Sequence, residues 1–226
     1  MNRVKFIFLL FIFVLFGSAY GFLGLSVDNT ITESDARAIS TLNVQDLCSA
    51  VHGDYAKELS CLIAIQRAVQ SIGDKRCASK ADLIEPMEFI KRNYGCCFDR
   101  ARFIEKSARL YEFQTRHIYL IKEKFNFLAN VLPLGQLTHA TTEVLTSKGW
   151  IGVDSNEPFV LTDESGNPLT YADSLVNSYA LAMMEPKEFY TSNIDLIYGL
   201  YSRHGSFHGL NIPGPEFVFS ELLHNF

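Results

Sequence analysis

The junction between two helices at Gly95 and Cys97 restricts the fold more than any other feature of this chain. A helical pattern of apolar residues stops at Gly95, and a second amphipathic helix begins at or just after Cys97. Two short strand-like segments follow, one beginning at His139 and the other ending at Asp154. Helices followed by a strand pair predict an α+β domain, in which N-terminal helices pack on a small antiparallel sheet.

Apolar spacing predicts where the remaining elements lie. The chain has 226 residues, which suits one domain, and it shows no internal repeat. The expected elements are a helix capped by Asn43, a helix at 54–73, a helix opened by Pro86, a strand at 116–121 and a helix at 171–184.

A β-hairpin is expected after these elements. Its strands are 139–145 and 150–154, and the four residues between them have turn composition. A turn centred on the middle of those four residues places Asp154 opposite Thr141. Strand side chains alternate, so His139 and Asp154 then lie on the same face of the sheet. A three-residue turn breaks that parity unless a bulge restores it.

The sequence offers the three groups of a thiol-based catalytic triad. Cys97 would be the nucleophile, His139 the base, and Asp154 the carboxylate that orients the base. A helix N-terminus and a nearby imidazolium both stabilise a thiolate, which is the reactive form of cysteine. His139 would hold the thiol proton and later deliver it to a leaving amine, while Asp154 would bind the other ring nitrogen. The N–H of Cys97 would be one oxyanion donor. The sequence therefore predicts a cysteine-dependent acyl-transfer enzyme with these three catalytic residues.

The same residues resemble the motifs of the transglutaminase-like superfamily, whose fold is a variant of the papain-like one, and the resemblance points to an exported bacterial member. It covers roughly residues 54–156 and implies a transglutaminase-like core, a thioester intermediate, and its resolution by water or by an amine. Thr141 departs from the family, which often has tryptophan there. The matching motifs are Gly95-x-Cys97-x-Asp99-x-Ala101, His139-Ala140-x-x-Glu143-Val144 and Gly149-Trp150-x-x-Val153-Asp154.

Structural roles are the alternative for each of these residues taken alone. A buried helix-start cysteine, a strand histidine with a satisfied ring and a turn aspartate are all commoner than catalytic residues. Cys96 is a rival nucleophile, but counting back from Asp99 and Ala101 selects Cys97. Asp99 and Glu143 are expected to be structural.

Two functions without catalysis stay open beside the enzyme. One is a non-catalytic transglutaminase-like module for binding or assembly at the cell envelope, since a fold does not fix a function. The other is a membrane-tethered structural protein whose motif matches are incidental. The intact Cys-His-Asp set favours the enzyme, with a peptide, a protein or another amide as substrate. Hydrolysis is somewhat favoured over cross-linking, and the sequence does not indicate the oligomeric state.

The first 21 residues are typical of a secretory signal. Arg3 and Lys5 precede the apolar run 6–16, and small residues follow at 17–19 and at 21. An uncleaved membrane anchor is the alternative, because 6–27 carry no charge and about 20 apolar residues span a bilayer. Either reading predicts export, to the periplasm or beyond. The expected division is 1–21 as signal or anchor, 22–42 as a polar spacer, and 43–226 as the domain, with a C-terminal extension from about 157.

Five cysteines suit an oxidising compartment. If Cys97 stays a free thiol, the other four form an even set that allows three pairings, among which the sequence does not choose. Buried reduced cysteines are the alternative. The four are Cys48, Cys61, Cys77 and Cys96.

Charge and histidine spacing exclude two classes of partner. The chain has 20 basic and 25 acidic residues, a net charge of −5, and no basic run, so a nucleic-acid partner is not expected. His204 and His208 have a spacing that suits zinc on a helix, but neighbouring glycines oppose a helix and no third ligand is evident. No metal and no cofactor are expected.

Overall fold

Helices precede most of the strands, which is the order that the sequence predicts. The computed structural model describes residues 27–77, 85–122, 138–185, 187–190, 194–201 and 216–225. The helices are α1 Glu33–Ser40, α2 Gln45–Cys48, α3 Tyr55–Gln70, α4 Pro86–Arg92, α5 Cys97–Leu110, α6 Tyr171–Ser174, α7 Ser178–Met183, α8 Lys187–Tyr190 and α9 Phe219–Leu222, with a 3-10 turn at Leu223–Asn225. The strands are β1 Asp74–Lys75, β2 Tyr94–Gly95, β3 Gln114–Lys122, β4 Thr138–Thr146, β5 Gly149–Val153, β6 Ile194–Tyr198, β7 Leu200–Tyr201 and β8 Glu216–Phe217.

The central sheet has four antiparallel strands in the order β5-β4-β3-β6. Strands β3, β4 and β5 follow one another along the chain, and they correspond to the expected strand and hairpin. Strand β6 comes from the C-terminal extension and pairs with β3 from Ile118↔Tyr198 to Lys122↔Ile194. The mixed α/β class, with helices and an antiparallel sheet, is confirmed.

Helices α3 and α5 cover one face of this sheet. Leu62 and Ile65 of α3 are fully buried, and they share one core with Phe103 and Ile104 of α5 and with Val144 of β4. Apolar residues three and four apart give each helix a buried stripe of this kind. The packing fixes α5, and therefore its first residue, against the sheet.

The C-terminal extension covers the opposite face. Ile118 and Leu120 of β3 point away from the helices and pack with Leu161, Tyr171 and Tyr190. All five side chains are nearly or fully buried. The sheet therefore lies between two apolar layers, and the extension is part of the folded core.

A helix occupies part of the range expected to be a spacer. Thr32 and Asp35 form a capping box that begins α1, in which each side chain bonds to the other's backbone N–H. Ala38 and Ile39 are fully buried. The Lys106 ammonium of α5 lies 2.6 Å from the Asp35 carboxylate, and both side chains are buried. Residues 33–40 therefore pack directly on α5.

Two expected helix boundaries differ in the structure. The helix expected at 171–184 is two helices, because the Asn177 side chain accepts a hydrogen bond from the Ala180 N–H and begins α7 as a new helix. Asn43 does not cap a helix. It has a left-handed backbone with φ 55°, and Val44 is the N-cap residue of α2.

The C-terminal turn packs on the edge strand β6. The Asn225 side chain accepts from the Tyr198 N–H at 2.9 Å and donates to the Tyr198 carbonyl at 3.1 Å. Glu221 of α9 accepts from the backbone N–H of His117 at 2.8 Å. These contacts tie the C-terminal residues to both β6 and β3.

Two disulfides join the four remaining cysteines. Cys48 pairs with Cys61 and Cys77 pairs with Cys96, which is one of the three pairings that the sequence allowed. Cys97 is the free cysteine, and it is partly exposed.

The signal or anchor expected at 1–21 lies outside the described residues. Within the part of the chain that the structure describes, no helix has both the length and the apolar character needed to cross a bilayer.

Candidate active site

The hairpin register brings His139 and Asp154 together. Strand β4 pairs with β5 from Thr142↔Val153 to Thr146↔Gly149, so the turn is centred on the middle of the four-residue segment. This is the register that places both side chains on one face of the sheet. The His139 Nε2 atom lies 2.8 Å from the Asp154 Oδ2 atom. The predicted pairing of these two residues is therefore present in the structure.

Cys97 is the first residue of α5, and the start of this helix is held on both sides. Cys96 occupies the N-cap position, and its N–H donates to the Asp99 carboxylate at 2.7 Å. Cys96 is also tied to Cys77 by a disulfide, so it has no free thiol to compete with Cys97. Asp99 has the structural role that the sequence suggested.

The Cys97 thiol faces the His139 ring. Cys97 packs beside Tyr119 and Ala140, on the two strands next to one another in the sheet. A side-chain hydrogen bond joins Cys97 to His139. Because Asp154 occupies Nε2, the nitrogen left for the sulfur is Nδ1. The three residues thus form a continuous chain from carboxylate to imidazole to thiol.

Electrostatics favour the charged form of the His139 ring. Burial alone would lower its pKa, but the charge and hydrogen bond of Asp154, followed by those of Cys97, raise the pKa of His139 to about 10. An imidazolium between a carboxylate and a sulfur is the arrangement that stabilises a thiolate.

The Asp154 carboxylate is fully buried, and it is ionised there because many donors surround it. Burial alone would raise its pKa, but the charge and hydrogen bond of His139 and the N–H groups of Glu157 and Asn156 outweigh burial, so the pKa of Asp154 is lowered. Its Oδ1 atom accepts from the N–H of Asn156 at 2.8 Å and of Glu157 at 2.7 Å. The local turn therefore fixes the carboxylate.

Two tyrosines from the C-terminal extension also reach Asp154. The Tyr171 hydroxyl lies 3.1 Å from Oδ2, and the Tyr190 hydroxyl lies 2.9 Å from the same atom. Phe189, next to Tyr190, sets its ring edge against the His139 ring with centroids 6.1 Å apart. Nothing in the local sequence pattern at 171 or 190 distinguishes these two residues from core aromatics, so they were not among the predicted site residues.

Helix α3 holds the loop that follows Asp154. The Gln66 side-chain amide contacts the carbonyls of Asp154 at 2.9 Å and Phe159 at 2.7 Å, and the Gln70 amide donates to the Glu157 carbonyl at 2.8 Å. Gln66 is buried on the apolar stripe of α3. The buried positions of α3 are apolar apart from Glu58 and Gln66, and a glutamine at such a position is a signal in the sequence for a buried polar partner.

Other residues that the sequence singled out lie apart from this site or outside the described range. Glu143 is buried and bonds to Arg116 at 2.7 Å and to the Tyr171 N–H at 2.6 Å, which is a structural role. His204 and His208 lie outside the described residues. The described part of the chain contains no group of three or more His, Cys, Asp or Glu side chains placed to hold a metal ion.

Comparisons with known proteins give only distant likenesses. No protein-family model matches the chain, and no curated protein matches it significantly. Among solved structures, the Rad4-Rad23 complex bound to a 6-4 photoproduct UV lesion is similar to 75% of this chain and 43% of that one, with 15% identity and a TM-score of 0.40. A protein named "putative cysteine protease" from Cytophaga hutchinsonii is similar over 77% of this chain and 56% of that one, with 15% identity and a TM-score of 0.36.

This chain spans about half the length of the two solved chains. At these TM-scores, neither likeness supports a statement about the activity of this protein.

Proposed function

We propose that this chain is an exported cysteine-dependent acyl-transfer enzyme that cleaves or transfers an amide or peptide bond through a thioester. The observation that carries the proposal is the continuous chain Asp154–His139–Cys97, with the thiol at the first residue of a 14-residue helix. A thiol there receives stabilisation of its anion from the helix N-terminus and from the imidazolium together.

The reaction would begin with attack of the Cys97 thiolate on the substrate carbonyl carbon. The N–H groups at the start of a helix have no acceptor within the helix, so the Cys97 N–H is available to the developing oxyanion. His139 would give its Nδ1 proton to the departing amine, which leaves Cys97 as a thioester. The neutral ring would then take a proton from the water or amine that attacks the thioester.

Asp154 would keep the His139 ring in one orientation through these steps. Its hydrogen bond to Nε2 fixes which nitrogen faces the sulfur, and its charge stabilises the imidazolium that each cycle requires. The turn N–H groups hold the carboxylate through Oδ1, and Gln66 of α3 holds the backbone carbonyl of the same residue, so the side chain can act without moving.

The finer fold assignment is part of this proposal. The order of the cysteine, histidine and aspartate motifs resembles the transglutaminase-like superfamily, and the helix-start cysteine and strand hairpin support a transglutaminase-like core. Attachment to a membrane through 6–27 and export through 1–21 are proposed from the sequence alone.

Iodoacetamide labelling of Cys97, measured by mass spectrometry across pH, tests the proposal. An activated thiolate is expected to label rapidly well below the free-thiol pKa of about 8.5. His139→Ala is expected to remove that labelling at acidic and neutral pH. His52→Ala is the matched control, since the His52 ring bonds to the Tyr111 carbonyl and stands outside the site.

Labelling that rises only near pH 8.5, or that is the same in wild type and His139→Ala, would contradict the catalytic proposal. The non-catalytic envelope module would then be the better interpretation. If the thiolate is activated, hydrolysis and amine transfer are separated by adding a primary amine to a peptide substrate screen and weighing the products.

A further inference from the structure

The Oδ2 atom of Asp154 serves three donors at once. His139 Nε2 lies 2.8 Å away, the Tyr190 hydroxyl 2.9 Å and the Tyr171 hydroxyl 3.1 Å. A carboxylate accepts only, so each hydroxyl that bonds to it is the donor. The Tyr171 oxygen has one further polar contact, with the Thr141 hydroxyl at 2.8 Å.

The two hydroxyls share this oxygen with the imidazole, and the carboxylate has further donors on its other oxygen. The Asn156 and Glu157 N–H groups already fix Oδ1. A carboxylate has about four lone-pair sites, and five donors surround this one. Each tyrosine O–H therefore draws negative charge from the atom that faces His139, and a hydrogen bond to an anion makes that anion less basic.

We propose that Tyr171 and Tyr190 are positioning residues that act through Asp154, weakening its hold on the His139 imidazolium so that the ring can release its proton during turnover. The inference rests on the proposed function of the same site. It also gives the C-terminal extension a catalytic purpose, because both tyrosines belong to residues 157–226.

The electrostatic surroundings of the couple come from several elements. Cys97 of α5 faces the ring, and Tyr171 and Tyr190 face Asp154. Tyr119 of β3 and the positive charge of Arg100 on α5 both interact with Cys97. Glu157 adds a negative charge near Tyr190. Burial, followed by the Asp154 charge, raises the pKa of Tyr171 and of Tyr190, so both hydroxyls keep their protons over the working pH range.

Tyr190→Phe and Tyr171→Phe each remove one donor and leave the ring in place. Removal concentrates charge on Oδ2, which stabilises the imidazolium. A more stable imidazolium lets the thiolate form at lower pH and delays loss of the ring proton to higher pH. The His139 ring is hydrogen-bonded to Cys97, so the readout is the pair of pH transitions that the site shows as a whole.

The experiment is the full pH profile of Cys97 alkylation in both variants, alongside 15N NMR titration of the His139 ring. In each variant, the transition in which the thiolate forms is expected to move to lower pH, and the transition in which the His139 ring loses its proton to higher pH. Each shift should be about half to one pH unit. Tyr55→Phe is the matched control, since it also removes a tyrosine hydroxyl hydrogen bond, to the Gly166 carbonyl at 3.0 Å, away from the site. Its profile should overlay the wild type.

Three results are distinguishable. Transitions that move apart in either folded variant support the inference. If the wild-type thiolate is activated but the transitions of the variants stay in place or converge, the inference alone is overturned. Removing a tyrosine hydroxyl that only holds Asp154 in place would weaken the ion pair and bring the transitions together. An ordinary thiol profile in the wild type overturns the proposed function, and the inference with it. Circular dichroism identifies a variant that has not folded, and the other variant then decides.

Discussion

Asp99 allows a quantitative test of how the start of α5 is held. Its side chain is 2% exposed, Oδ2 accepts the Cys96 N–H at 2.7 Å, and Oδ1 has no hydrogen-bond partner among the described residues. Burial raises the pKa of Asp99 to about 7, and the Cys96 N–H and the charges of Arg100 and Arg92 oppose burial only in part. Ionised Asp99 therefore costs free energy in the folded protein.

The cost follows from the difference between the folded and unfolded pKa values of Asp99. Between its unfolded pKa of 3.8 and its folded pKa of about 7, the unfolded chain is ionised while the folded protein keeps the proton. The free energy of unfolding then falls by about 1.4 kcal/mol per pH unit. The stabilising contribution is complete below the unfolded pKa, is lost as the pH rises, and levels off above the folded pKa. The total is about 4 kcal/mol.

Asp99→Asn should remove this pH dependence, because the amide keeps the shape and has no charge to lose. We expect the variant to gain about 3 kcal/mol relative to wild type between pH 5 and pH 8, measured by urea denaturation at each pH with the disulfides intact. Other groups that titrate in this window, such as Glu221, whose pKa burial raises to about 7, contribute to both proteins and cancel.

Asp54→Asn is the matched control for this measurement. Asp54 caps α3 at the surface, where the hydrogen bonds from the Lys57 side chain and backbone lower its pKa. It is ionised throughout the range in both states, so its difference from wild type should not change with pH. Parallel stability curves for Asp99→Asn and wild type would refute the argument about Asp99.

Three further substitutions test the packing around the site. Gly152→Ala should lower the free energy of unfolding by about 1–3 kcal/mol, since a Cβ there would collide with Leu161 Cδ1 and lie 2.9 Å from the Tyr171 ring; an unchanged midpoint in urea denaturation would contradict this. Lys106→Met should lower the free energy of unfolding by about 3–5 kcal/mol, because it leaves the buried Asp35 carboxylate without its partner, and adding Asp35→Asn should recover part of the loss. Leu62→Ala should cost about 2–5 kcal/mol in urea denaturation as a core cavity, and a cost below about 1 kcal/mol would show a poorly packed α3–α5 interface.

Local patterns predicted helix α5 and the hairpin. The stop at Gly95 and the apolar stripe after it predicted α5, and four turn residues predicted the hairpin. The register that pairs His139 with Asp154 followed only for a turn centred on the middle of those residues, and the structure has that turn. These features depend on backbone propensity and on side-chain alternation, both of which act over a few residues. The placement of Cys97 against His139 needed one further step, the packing of α5 on the sheet.

Long-range contacts were beyond such patterns. Tyr171 and Tyr190 approach Asp154 from 17 and 36 residues away, and β6 reaches β3 across a long connection. Whether a given aromatic side chain fills the core or reaches the site depends on the whole fold. The polar composition of 22–42 also concealed α1, although its capping box is readable in the sequence.

The bond pair between Asn225 and Tyr198 has a consequence for how this protein behaves at high concentration. An outer strand with free N–H and C=O groups is a template on which another molecule can add a strand. Asn225 satisfies both groups of Tyr198 with one side-chain amide, as a neighbouring strand would. The last turn of the chain thus covers Tyr198 on the edge of β6 that faces away from β3. Proteolytic trimming of these few residues is expected to expose that edge, and size-exclusion chromatography at rising protein concentration would detect the resulting self-association along β6.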